Sequence, residues 1–558
     1  MKNSSSDEKD IVKSKSNKKK PEVKKSLENK NEKFFHKLKN WLPFSRISGK
    51  IILAYLISII LGGFLLSIPG VVVDPKNHWN FITGMFTASS AISDTGITMV
   101  QTNTGYSFIG QLLIIIMCQI GGIGILTIKI TLLVMIGRKI SLDDQNIAQK
   151  ERGNNSLSNT VEMIKDAFVF LLILELVGSI VLFFGFYFTP LSLDGIHKLD
   201  PSSVTNPYND FGKSLWAAIF HSISATNNAG FDIVSGNSLL PYNQGSSHAY
   251  LIQVTFLCQW VIGGLGYPTY HDIKKKIKAR KQGKKVKFSL FTKLNFITYI
   301  SLFLLGPVLV FLTEYLTVEE SQILLNGHYE ESYMLLEKEK VYIFNKWVAD
   351  GDGSWKPTHV WLMDLIFNVS STRNAGFATV DVNSFTAGSK YLLSIWMFIG
   401  AAPSSTAGGI RTTTFAICIL AIFSIMRNKK SVEVFKRKIP DETVKRAFAV
   451  VFISFFIVTT SIFVVYLDSN KMLFRTDETQ NTEATIIKLI MYVCSAFGTV
   501  GFQPFPNEQI IQLGVISKIM LVMTMFVGQL GISNTLLAFV KPKNKQNFSY
   551  LEEEVTIG

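Results

Sequence analysis

Ser90-Ala91-Ile92-Ser93-Asp94-Thr95-Gly96, Ser224-Ala225-Thr226-Asn227-Asn228-Ala229-Gly230, Ser370-Ser371-Thr372-Arg373-Asn374-Ala375-Gly376 and Ser495-Ala496-Phe497-Gly498-Thr499-Val500-Gly501 each place a serine six residues before a glycine. An apolar residue follows each glycine (Ile97, Phe231, Phe377, Phe502), and the glycines stand 134, 146 and 125 residues apart. Apolar sequence long enough to cross a bilayer flanks each stretch on both sides. One such spacing carries no information; four in register between apolar runs form an internal repeat. Four polar loops of this kind can surround one axis and offer backbone carbonyls to a dehydrated cation.

Between the loops the chain reads as four similar units. Repeat one holds a span at Ile51–Pro69, a short amphipathic helix at His78–Ser93 and a span at Phe108–Ile136. Repeat two has Asp166–Phe188, Lys213–Ala225 and Ala249–Tyr270; repeat three has Phe291–Leu312, a long insertion to about Thr358, His359–Ser371 and Tyr391–Ile425. Repeat four has Arg446–Leu467, Ala484–Phe497 and Leu513–Val540. The middle segments are too short to span and read as re-entrant half helices, whose loops need a watery cavity or surrounding protein. The expected fold is an all-α integral membrane protein of four span–loop–span repeats around one pore, with eight spanning segments. The repeats cover 50–137, 164–274, 290–426 and 444–541, between cytoplasmic tails at 1–49 and 542–558.

Composition agrees. The 558 residues are 47% hydrophobic and only 17% charged, and mean hydropathy is +0.27. Cys118, Cys258, Cys418 and Cys494 lie in or beside apolar runs without zinc spacing, so they read as buried inert thiols. The net charge of +15 invites a nucleic-acid reading, but its distribution excludes one. Basic clusters recur once per repeat: Arg138 and Lys139, Lys274 to Lys287, Arg427 to Lys438, and Lys541 to Lys545. Connections on the other side are acidic or mixed, as at Glu319, Glu320, Glu330, Glu331 and Glu337. Positive residues stay cytoplasmic, so both termini are expected inside the cell and the Gly loops enter from outside the plasma membrane. Residues 1 to about 33 are Lys-, Ser- and Asn-rich and read as a disordered tail without a signal-peptide core. Phe34 to Arg46 fits either a helix resting on anionic lipid or a solvated lead-in.

A carbonyl-lined filter needs backbone conformations that glycine adopts without steric cost. Gly96, Gly230, Gly376 and Gly501 supply them, and the adjoining carbonyls come from Asp94-Thr95, Asn228-Ala229, Asn374-Ala375 and Thr499-Val500. The half helices end just before these residues, so their negative dipole ends favour a cation there. Ser90, Ser224, Ser370 and Ser495 fall in the last helical turn, either as small packing residues or bonding a carbonyl or a neighbouring helix.

The last span of repeat three is interrupted. Ile399-Gly400-Ala401-Ala402-Pro403-Ser404-Ser405-Thr406-Ala407-Gly408-Gly409-Ile410-Arg411-Thr412-Thr413-Thr414 carries three glycines, a proline and six hydroxyl residues between apolar segments too short to cross alone. Placed on the cytoplasmic side of the filter, it would be a flexible barrier across the pore. Milder glycine clusters at Gly121-Gly122-Ile123-Gly124, Gly263-Gly264-Leu265-Gly266 and Gly528-Gln529-Leu530-Gly531 are expected to serve close helix packing.

These residues together resemble the Trk/Ktr/HKT superfamily of cation transporters, and specifically its KtrB-like membrane subunits, from about residue 50 to 540. The most specific pieces are Asn227-Asn228-Ala229-Gly230-Phe231, Asn374-Ala375-Gly376-Phe377, Ser495 to Gly501, and Ser404 to Thr414, which looks like the family's intramembrane gate loop. The resemblance implies K⁺ uptake by a homodimer with one pore per subunit. It also implies a cytoplasmic nucleotide-binding regulatory ring (KtrA-like, an RCK octamer) and commonly Na⁺-dependent transport. A serine in place of the first filter glycine accompanies Na⁺ selectivity in the superfamily, so Gly96 implies K⁺; a Na⁺-permeable relative of the same fold is the alternative.

Three positions depart from or vary within the family pattern. Lys often stands where this chain has Arg411. An arginine facing the gate loop is usual where this chain has Gln529, which would then either face the pore or bond between helices. Asp94 stands where an uncharged residue is usual; its carboxylate either attracts the cation or, the favoured reading, bonds to backbone behind the filter. No Walker A, His-Glu-x-x-His or complete Gly-x-Gly-x-x-Gly pattern marks an enzyme, and no organic cofactor is expected. Asp350-Gly351-Asp352-Gly353 lacks the downstream ligands of a calcium loop and reads as an external turn.

Overall fold

Four long apolar helices frame the molecule: α1 (Ile47–Leu66), α4 (Thr160–Phe188), α8 (Leu290–Leu316) and α12 (Asp441–Asp468). Each contains a stretch long and apolar enough to cross a membrane. In the computed structural model, the described residues are 47–124, 127, 160–191, 203–236, 238–243, 249–337, 340–349, 353–469, 482–532 and 535. The segment at Phe34 to Arg46, the basic pairs Arg138/Lys139 and Lys541 to Lys545, and the turn at Asp350 to Asp352 lie outside them.

After each long helix comes a short one: α2 (Phe81–Ile92), α5 (Phe211–Thr226), α9 (Thr358–Ser371) and α13 (Thr482–Gly498). Their ends fall within a few residues of the sequence expectation because local chemistry sets them. Asn80 accepts from the Thr83 amide and Asp210 from the Lys213 amide, so both cap helix N-termini. At the other end, each helix stops where the chain turns to the left-handed backbone described below.

The third apolar segment differs from the unbroken span expected in sets one, two and four, and in set three it is interrupted as the sequence indicated. α3 (Phe108–Ile123) and α14 (Val515–Leu530) each have only 16 residues before a glycine at positive φ, Gly124 at +88° and Gly531 at +79°. α6 (Tyr250–Gly263) and α7 (Tyr267–Lys281) are bent by 92° across a break that contains Gly266 at φ +83°. α10 (Ala387–Phe398) and α11 (Thr412–Met426) are separated by the loop 399–411. Close packing accounts for only some of these glycines. A side chain on Gly121, Gly263 or Gly528 would strike the carbonyl of Ile92, Thr226 or Phe497, whereas Gly124, Gly266 and Gly531 end or bend their helices.

The insertion in repeat three is also not irregular. β1 (Gly327–Glu337) and β2 (Lys340–Ala349) pair antiparallel, with a register shift between Glu331 and Tyr333. A second, two-residue ladder joins β3 (Glu433–Val434) to β4 (Arg437–Lys438), so the fold is mostly rather than wholly helical. Tyr, Ile, Val and Trp in β1 and β2 carry the β preference that the all-helical reading passed over.

The sets close into a ring. Each long helix packs on the short helix that follows it: α1 on α2, α4 on α5, α8 on α9 and α12 on α13. Each third segment then packs on the short helix of the next set: α3 on α5, α6 on α9, α10 on α13, and α14 back on α2. Where α1 crosses α2 the backbones touch, because a Cβ on Gly84 would strike the Gly63 carbonyl and one on Gly63 would lie 2.7 Å from Met85 Cα. Gly84→Val should force the pair apart at a cost of about 1–3 kcal/mol. A lower melting temperature in detergent is expected; an unchanged melt would mean that the crossing tolerates a branched side chain.

Candidate ion passage

All four Gly loops share one backbone alternation. The residue two before each glycine has positive φ (Asp94 51°, Asn228 58°, Asn374 82°, Thr499 52°), and so does the glycine (84°, 69°, 77°, 107°). Asp and Asn visit this region more readily than other side chains; for β-branched Thr499 it is strained. The turn is held from behind. The Thr95, Ala229 and Val500 amides donate to the Ser90, Ser224 and Ser495 carbonyls at 2.8 to 2.9 Å, and Ala375 donates to Ser371, one residue later than the repeat predicts. The serine hydroxyls vary more than their spacing: Ser224 accepts from the Phe231 amide and Ser495 from Gly501, whereas Ser370 donates to Phe367 in its own helix.

The glycines meet at one axis. A Cβ built on Gly96 would lie 2.7 Å from the Ala229 carbonyl oxygen, and one on Gly230 would lie 3.1 Å from that of Ala375. One on Gly376 would strike the Val500 oxygen, and one on Gly501 the Thr95 oxygen. The order runs from loop one to four and back to one, a closed ring of backbone with no room for a side chain. The carbonyls of Thr95, Ala229, Ala375 and Val500 therefore lie against the glycines of the neighbouring loops.

A cavity of about 290 Å³ opens on one side, lined by all four glycines with Asp232, Asp381 and Gln503. A second of about 290 Å³ is lined by Pro403, Ser404, Ser405, Gly409, Arg411 and Gln529. The loop 399–411 lines only the second.

That loop is buried and thoroughly bonded. Gly400 N donates to Ile410 O at 2.8 Å and Thr412 N to Ala401 O at 3.0 Å, closing its base. It is tied to neighbouring segments by Ala402 N to Gly264 O, Tyr267 N to Ser404 O and Gly409 N to Gly528 O. Arg411 donates to Ala407 O and to Gln529 O. Arg373, buried below loop three, donates to Ile399 O at 2.5 Å and Gly400 O at 2.7 Å, a clamp that sequence reading missed. Its signal in the sequence was an arginine inside an otherwise uncharged Gly loop.

Gln529 is 9% exposed. It lines the second cavity, and its amide donates to Asp94 Oδ2 at 3.0 Å and Thr406 O at 2.9 Å. The Asp94 carboxylate thus meets a side-chain amide.

Residues 45–550 match the TrkH family, described as cation transport proteins. The chain belongs to that family. It is therefore a membrane transport protein and not an enzyme. It is 32% identical over 570 residues to the uncharacterized cation transporter MG322 of Mycoplasma genitalium, covering 94% of this chain and all of the relative. It is 28% identical to the Ktr system potassium uptake protein D of Bacillus subtilis, covering 91% and 96%. It is 26% identical to the potassium/sodium uptake protein NtpJ of Enterococcus hirae, covering 90% and 95%. The crystal structure of the potassium transporter TrkH from Vibrio parahaemolyticus shares the fold, with a TM-score of 0.57 at 16% identity over 88% of this chain and 84% of that one.

Arg373→Met should leave two buried carbonyls without a donor, a loss of about 1–3 kcal/mol for each unsatisfied group. Thermal melting in detergent reads this, and Arg373→Lys should recover only part, since one ammonium cannot match the fork. A melt equal to that of the unsubstituted protein would remove Arg373 as the clamp.

Proposed function

We propose that this chain takes up K⁺ across the cell membrane through the ring of Gly96, Gly230, Gly376 and Gly501. The observation that carries the reading is the cyclic approach of four glycines to four neighbouring carbonyls, with a cavity lined by those glycines. The carbonyls at Asp94-Thr95-Gly96, Asn228-Ala229-Gly230, Asn374-Ala375-Gly376 and Thr499-Val500-Gly501 stand in for water around the dehydrated ion. The four sets of helices act as span–loop–span repeats over 50–137, 164–274, 290–426 and 444–541. The vestibule with Asp232 and Asp381 is external and both termini are cytoplasmic, as the basic clusters favour.

The loop with Gly400, Pro403, Ser404, Ser405, Thr406, Ala407, Gly408, Gly409 and Arg411, backed by Gln529, is the gate. Bonds among backbone groups and small hydroxyls can be exchanged for water without exposing an apolar core, which suits a barrier that moves. As in the family it resembles, the subunit works as a homodimer on a cytoplasmic nucleotide-binding ring. A Na⁺-permeable or Na⁺-coupled protein is the second reading, favoured by the relative named for potassium and sodium uptake.

Flux of K⁺, Rb⁺ and Na⁺ into liposomes holding the purified protein, with and without a co-expressed regulator, tests both readings. Gly96→Ser should lower discrimination between K⁺ and Na⁺, because a Cβ at φ +84° and 2.7 Å from the Ala229 oxygen must shift the ring. Unchanged selectivity in folded protein would place the passage elsewhere. Deletion of Ala402–Thr406 should raise flux and weaken its dependence on the regulator. A folded deletion variant without flux would mean that the loop is needed for conduction.

A further inference from the structure

The four residues at positive φ, Asp94, Asn228, Asn374 and Thr499, do not contribute side chains to the glycine ring. All four side chains are buried and tied to the intramembrane loop or its support. Asn228 Nδ2 donates to Thr406 Oγ1 at 2.7 Å; Asn374 Nδ2 donates to Gly498 O, just before the fourth turn, and lies 3.4 Å from Gly408 O as a longer second contact. Thr499 Oγ1 accepts from Gly408 N at 2.8 Å. Asp94 is one bond removed, through the Gln529 amide that also donates to Thr406 O. Two loop residues, Thr406 and Gly408, are thus held by all four Gly loops.

The left-handed backbone produces this. In an extended strand successive side chains and carbonyls alternate between opposite faces, so neighbouring carbonyls would not all face the ring. Left-handed turns at alternate positions instead let the intervening carbonyl face the ring while the side chain leaves it. Asp, Asn, Asn and Thr are all short and polar, and each can both stabilise such a turn locally and reach one further group. For Thr499 the conformation is strained, and the bond from Gly408 N is one of the contacts that hold it.

We propose that these bonds make the intramembrane loop part of the selectivity device: Thr406, through Asn228 and Gln529, and Gly408, through Asn374 and Thr499, position the carbonyl ring. Withdrawal of the loop releases the four turns together, so a passage whose loop bonds are broken is less selective than one in which they are kept. Thr406 is a positioning residue for ion discrimination as well as a barrier residue. The same link means that a deletion removing Thr406 sacrifices selectivity while it raises flux. This inference rests on the ring being the ion passage.

The test compares liposome flux of K⁺ and Na⁺, normalised to folded protein, for Thr406→Val, Thr406→Ser and Asn228→Ala, with Gly96→Ser alongside. Valine keeps the branched volume and removes the hydroxyl; serine restores it. Thr406→Val should lower the K⁺/Na⁺ ratio about fivefold, the lower end of coupling between linked sites, and Thr406→Ser should restore it. The double variant Thr406→Val with Asn228→Ala should be no less selective than the worse single variant, since both break one bond. Thr499→Val probes the link from the fourth loop and keeps the test alive should Thr406→Val fail to fold. A wild-type ratio in both valine variants, or a fully additive double variant, overturns the coupling when Gly96→Ser does shift selectivity. If Gly96→Ser shifts nothing either, the passage itself is misplaced and the coupling falls with it.

Discussion

Four strips of backbone can meet at one axis only if nothing larger than a hydrogen stands between them. A Cβ on Gly96, Gly230, Gly376 or Gly501 would meet a neighbouring carbonyl, so the closed ring exists only with glycine at these places. Everything else serves that approach. The short helices deliver the four strips, the long helices hold the short ones, and each third segment packs on the next set to close the circle.

The second constraint is that backbone inside a membrane must be bonded within the protein. Non-helical chain occurs in the Gly loops and in 399–411; the Gly loops bond back to their own short helices, and 399–411 bonds to itself and to several neighbouring segments. Ser90, Ser224, Ser371 and Ser495 carbonyls take the loop amides, while Arg373, Asn374, Thr499 and Gln529 take groups of the loop 399–411. Ring and loop are joined by hydrogen bonds through buried side chains of the Gly loops.

Much of this was legible in the chain. Helix positions followed from apolar length and capping residues, and the glycine register marked the four loops whose glycines approach one another. The interruption at 399–411 was visible because glycine, proline and hydroxyls cannot continue an apolar helix. Less visible were the bends at Gly124, Gly266 and Gly531, since helix-packing and helix-ending glycines look alike in sequence; only neighbours at Gly121 and Gly263, and φ at Gly124 and Gly266, separate them. The hairpin Gly327–Ala349 was missed because a membrane reading of its surroundings drew attention from its β-branched and aromatic residues.

The sequence by itself determined the number and order of the units, the apolar lengths, and the one residue per loop that had to lack a side chain. Those are local properties, set by composition and spacing along the chain. Only the tertiary structure decided where Asp94, Asn228, Asn374 and Thr499 aim their side chains, because that depends on a backbone handedness their identity merely permits. It alone also joined Asp94 to Gln529, and Arg373 to the carbonyls of Ile399 and Gly400. Such pairs bridge separate elements, and their partners are fixed by how the ring closes rather than by anything near them in the chain.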